Sequence, residues 1–146
     1  MTLRVLLVLA ALSSSGCVSL EKGVFLTKGT PVQVVDASKS PIFSGFVATE
    51  FKPVIQRLIE NTRAQLRERN IQTVAEPTPG AAILKYDIRT LSQRYKVMIT
   101  YRATLETPDG KIVFDEGDDK KEASLDELLS DLATRMARAV SRSVAK

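Results

Sequence analysis

Few side chains in this sequence could do chemistry. Histidine and tryptophan are absent, and Cys17 is the single cysteine. A Ser-His-Asp or Cys-His nucleophile and any histidine-containing metal site are therefore excluded, as is an intramolecular disulfide. Asp115, Glu116, Asp118 and Asp119 invite a calcium reading. They lack the Asp-x-Asp-x-Asp-Gly order and terminal Glu of an EF-hand loop, and Lys120 and Lys121 follow directly. A solvated loop over Glu116 to Glu122 is the plainer expectation. Any two carboxylates could be paired for hydrolysis, but nothing in the sequence points to burial or a raised pKa, and without histidine general bases are scarce. The expectation is a protein that is not an enzyme, takes no cofactor and holds no metal.

Two features could instead recognise a partner. Arg135, Arg138 and Arg142 fall at helical spacing on one face. They suit a solvated helix end or an anionic partner such as lipid headgroups, glycan or an acidic protein surface. Ile42, Phe43 and Phe46 sit in a segment rich in Ser, Gly and Pro. They either cover an open end of the core or form a docking patch, since apolar side chains on loops often mark interfaces.

The chain that must position these residues has 146 residues, enough for one domain. With 44% hydrophobic and 26% charged residues it has globular composition, which argues against disorder or a fibre. A net charge of +4 is too small and too dispersed to indicate a nucleic-acid binder, and aromatics are only 5%.

The N-terminus begins Met1-Thr2-Leu3-Arg4, followed by the apolar run Val5 to Leu12 and then Ser13-Ser14-Ser15-Gly16-Cys17. A cation, a short apolar run and small residues have the form of a signal peptide, and the run is too short to span a bilayer. Ser14-Ser15-Gly16-Cys17 resembles the lipobox of bacterial lipoproteins, with Ser14 where that family usually has Leu. The resemblance implies removal of residues 1–16, diacylglycerol on the Cys17 thiol and anchorage of the protein in a lipid bilayer through acyl chains. Val18, rather than Asp, after the cysteine implies the outer membrane in that family. Without residues 1–16 the chain carries 20 basic and 17 acidic side chains, net +3. Residues 17–29 read as the modified cysteine and a short tether, in which Phe25 and Leu26 suggest local packing. Residues 30–146 read as one domain.

Within that domain, Val32 and Val34 alternate with Gln33 in a short strand, and Asp36 to Ala48 reads as an irregular link. Phe51, Ile55, Leu58, Thr62 and Leu66 lie on one face of a helix over roughly Glu50 to Arg69, with Pro53 in its first turn and Asn70 as a left-handed stop. A brief strand over Ile71 to Val74 follows. Ala82, Leu84, Tyr86 and Ile88 predict one half-buried strand, and Tyr95, Val97, Ile99, Tyr101, Ala103 and Leu105 a second. Thr107-Pro108-Asp109-Gly110 predicts a hairpin turn, after which Ile112 and Phe114 should face inward. Ser124-Leu125-Asp126-Glu127 is a capping box opening a helix whose apolar stripe includes Leu128, Leu132, Met136 and Val140.

The order β-α-β-β-β-β-α, with two amphipathic helices and a mainly antiparallel sheet apolar on one side, predicts an α+β two-layer sandwich with both helices on one face. Such a body behind a lipobox loosely resembles small envelope-assembly lipoproteins. That resemblance implies a periplasm-facing, outer-membrane binding or scaffolding subunit with protein partners in the cell envelope, serving secretion, polysaccharide or lipopolysaccharide export. A regulator docking on a periplasmic enzyme and a lipid or glycan carrier are the alternatives. A homo-oligomer stays open, and no nucleic-acid partner is expected.

Overall fold

A computed structural model describes residues 23–45 and 51–146. The lipobox, Cys17 and Phe46 lie outside the described residues. The described chain runs β1 (Val32–Asp36), β2 (Ile42–Gly45), α1 (Phe51–Glu68), β3 (Thr73–Val74), β4 (Ala82–Gln93), β5 (Val97–Glu106), β6 (Ile112–Glu122) and α2 (Leu125–Arg142). The strands form one sheet in the order β3-β1-β4-β5-β6, with β2 also paired to β4. The long pairings β4–β5 and β5–β6 are antiparallel, while β1–β3, β1–β4 and β2–β4 are parallel. Together with the helices this is the expected α+β sandwich.

The helices form where their apolar spacing places them. α1 buries Val54, Ile55, Leu58, Ile59, Thr62 and Leu66. It ends in a Schellman motif: Asn70 is left-handed at φ 60°, its N–H bonds to the Arg67 carbonyl, and the Ile71 N–H bonds to the Leu66 carbonyl. α2 starts at Ser124, whose Oγ accepts the Glu127 N–H at 3.2 Å. Both helices pack on the sheet face carrying Leu84, Tyr86, Ile99, Tyr101 and Leu105. A buried hydroxyl at that interface is satisfied: Thr62 Oγ1 donates to the Leu58 carbonyl and lies 2.8 Å from the Tyr86 hydroxyl.

Several segments depart from expectation. The link after β1 is not wholly irregular. β1 and β2 follow one another along the same edge of β4, and between them the Ala37 N–H reaches the Tyr86 carbonyl and Ser38 Oγ accepts the Ile88 N–H. β6 extends through the segment expected as a charged loop, Glu116 to Glu122, because each residue pairs with β5 while the charges stay at the surface. Tyr95 does not face inward: it sits in the turn between β4 and β5 and is 100% exposed. Ile112 is turned outward as well. An extra residue, Val113, lies between the pairs Leu105–Phe114 and Glu106–Ile112, and this bulge gives Ile112 the same outward side as Glu106.

Within the expected tether, Leu26 packs on the body as its apolar character suggested. Leu26 is fully buried, its N–H bonds to the Ser143 carbonyl, and its own carbonyl accepts the Ala145 N–H, both at 2.8 Å.

Candidate functional site

The topology gives the molecule two poles. β1, β2, β4 and β6 run one way, so α1 and α2, each following a strand of that direction, both return the other way. Arg57 near the start of α1 pairs with Asp126 at the start of α2. At the opposite end, Arg69, Asn70, Ser141 and Val144 line one shallow depression of about 470 Å³. Helices of 18 residues separate the poles by about 27 Å. The near pole is where the described chain comes in at Gly23. The far pole carries β2, the turn between β4 and β5, and both helix starts.

The far pole holds two of the residues singled out in the sequence. Ile42 is 65% exposed. Phe43 leans the other way, beside buried Leu91, and packs on the Phe51 ring at 5.5 Å. Alternation along β2 causes this split. Phe43 therefore contributes to the core, while Ile42 and the fully exposed Tyr95 present apolar surface. Gly45 closes β2 at φ +80°, so near Gln93 that a Cβ there would come within 1.8 Å of the Gln93 carbonyl oxygen. The position admits only glycine.

The arginine stripe is divided. Arg135 Nε lies 3.3 Å from Glu116 Oε1 and its Nη1 lies 3.4 Å from Asp118 Oδ2, which ties α2 to β6. Tyr101 sits beneath this bridge; its hydroxyl has no partner among the described residues, and burial pushes its phenol pKa up. Arg138 and Arg142 are exposed and line an open groove with Lys120 and Asp131.

The acids around Asp115 do not converge on a point, because strand alternation sends them to two faces. Asp115 pairs with Arg102, which donates from Nε at 2.7 Å and holds the carboxyl below the usual carboxylate range. Glu116 and Asp118 face Arg135, and Asp119 accepts from Thr100 Oγ1 at 2.8 Å. Among the described residues, no group of three or more His, Cys, Asp or Glu is placed to hold a metal ion. The sheet face away from the helices carries cross-strand pairs such as Lys85–Glu106 at 2.9 Å, the pattern of a hydrated face. Among the described residues no helix is long and apolar enough to cross a membrane.

The near pole was not singled out in the sequence. Lys28, Arg69 and Lys146 surround its depression, and Phe25, next to buried Leu26 at the same pole, is 55% exposed. Lys28, Arg69 and Lys146 are far apart along the chain, and the two helices ending at the same pole bring them together.

No protein-family model and no curated protein matches this sequence. The fold does match solved structures. A PelC dodecamer chain from Paraburkholderia phytofirmans is 12% identical with TM-score 0.57, over 80% of this chain and 90% of that one. Protein XCC0632 from Xanthomonas campestris, of the DUF330 family, is 14% identical with TM-score 0.53, over 83% of this chain and 93% of that one. At these identities the likeness is one of fold.

Proposed function

We propose that this chain is a lipid-anchored envelope protein, held through acyl chains on Cys17 in the outer membrane and facing the periplasm. There it acts as a non-catalytic binding or scaffolding subunit of a larger assembly. The observation that carries this reading is the position of Ile42 and Tyr95. Both are exposed apolar side chains at the pole farthest from where the chain comes in. An anchored subunit presents that pole outward, and apolar side chains there are suited to burial against a protein partner. The flanking Arg94 and Lys96 favour a partner whose surface is acidic. The lipobox-like segment supports the anchor, and the dodecameric state of the PelC fold neighbour supports assembly, including assembly with further copies of this chain.

The test uses the full chain in its native envelope. Intact-mass analysis should find Cys17 acylated. A photo-reactive residue at position 42 or 95 should give a discrete cross-linked product, and one at Thr104 on the hydrated sheet face should give none. Ile42→Asp with Tyr95→Ser should lower recovery of the complex at least about tenfold while changing stability by no more than roughly 0.5 kcal/mol, as for exposed positions. Full recovery of the complex by the double variant would overturn the docking role, and an unmodified thiol would overturn the anchor.

A further inference from the structure

We infer that the near pole is itself a membrane-seating surface, which lays Lys28, Arg69, Lys146 and Phe25 onto an anionic phospholipid leaflet. The inference deepens the proposed function and rests on its lipid anchor.

Three observations meet at this pole. The first is chain length: only nine peptide steps separate Cys17 from Leu26, which is buried and hydrogen-bonded into the end of α2. Even fully extended they reach about 30 Å. An acylated Cys17 therefore holds this pole within a short distance of the bilayer.

The second is charge. Among the described residues, Lys28, Arg69 and Lys146 line the depression, and no acidic side chain does. The carbonyl ends of both helices also lie here, but part of that negative potential is already satisfied. Arg69 donates to the Gln65 carbonyl at 2.9 Å, and Ser143 Oγ donates to the Ala139 carbonyl at 2.7 Å. Glu68 is the one acid in the last turn of either helix.

The third is the apolar complement. Phe25 precedes buried Leu26 and is turned outward. At the same end of the molecule Ile112 is 47% exposed, next to a turn in which Lys111 lies 3.8 Å from Asp109. Aromatic and aliphatic side chains flanked by lysines that extend toward phosphates form the composition of an interfacial surface. Cations close to an anionic leaflet each strengthen binding by roughly fivefold.

The test compares the full acylated chain in nanodiscs of phosphatidylglycerol and of phosphatidylcholine by amide hydrogen exchange. Segments 25–30 and 143–146 should be protected severalfold more on phosphatidylglycerol, and 94–96 should exchange equally on both. Lys28→Gln with Lys146→Gln should abolish the difference. Neither lysine side chain makes a hydrogen bond or ion pair among the described residues, and an unchanged melting temperature will show that the variant is folded. Equal protection of the near pole on both discs overturns the inference, as does protection of 94–96 instead. Loss of the difference on adding inorganic phosphate at constant ionic strength assigns the site to a free anion and overturns it too.

The same preparation is sedimented with vesicles of each lipid. If intact mass shows an unmodified Cys17 while the chain still pellets with phosphatidylglycerol vesicles alone, the anchor fails and the seating surface stands. If the chain is acylated and the discs show no difference, the anchor stands and the seating surface fails.

Discussion

At the near pole Leu26 is 1% exposed, and its backbone is hydrogen-bonded on both sides to the end of α2. At the far pole β2 is bonded along one edge of β4, and every second side chain faces water. Both poles expose apolar residues and cations, but one is knitted to the core by the bridge between Leu26 and Val144 and the other by a four-residue strand. Local stability follows buried apolar contact and protected hydrogen bonds. Local opening is therefore expected to cost more at Leu26 than at β2.

Three substitutions bear on that contrast. The largest effect should come from Leu26→Ala. It removes a fully buried side chain that joins the incoming segment to α2, and the loss should be about 3 kcal/mol in urea unfolding. A loss below about 1 kcal/mol would mean that the incoming segment is not knitted to the core. Gly45→Ala should cost about 2 kcal/mol, because the added Cβ meets the Gln93 carbonyl and the residue must keep a positive φ. Its signature is local: faster amide exchange over 91–93, with the Leu26 and Ala145 amides unchanged. Faster exchange at both poles would show that they unfold as one unit.

The smallest effect should come from Asp115→Asn, on the open sheet face between the poles. Its pairing with Arg102 is partly exposed, so the loss at pH 7 should stay below about 1 kcal/mol. Asp115 titrates below its unfolded value, so the pair contributes fully above about pH 4 and is lost as pH falls through the lower folded value. Wild type and variant should therefore converge in urea unfolding once the pH falls below that lowered folded value, with neither pole's exchange altered at pH 7.

Much of the fold was legible because local pattern and tertiary role agree. The spacing of Ile55, Leu58 and Leu66, the Ser124 cap, the Asn70 stop and the alternation from Val97 to Leu105 each point to the element observed. The misread segments are those whose conformation depends on a distant neighbour. β2 has no alternation beyond Ile42 and Phe43, and it is a strand because the far half of β4 offers it an edge. β6 past Asp115 carries almost only charge and is held by β5. Tyr95 fits the period of the strand that follows it, but the chain turns there.

The candidate sites divide in the same way. Ile42 and Phe43 stood out by composition, but β2 alternation separates them into an exposed and a core residue. Arg135 could not be told from Arg138 and Arg142 until β6 placed Glu116 and Asp118 beneath it. Lys28, Arg69 and Lys146 share no sequence pattern. Their proximity follows from two helices ending at the same place, which no local signal encodes.

The bridge from Leu26 to Val144 also decides how the molecule would bear a pull. Under the proposed anchorage and docking, traction between the two poles would run along the strands and helices. The rungs joining β1 to β4 and β4 to β5 would then be strained sideways and all together, as in a lap joint, instead of opening one by one like a zip. Load along that axis would be shared by all of those rungs at once.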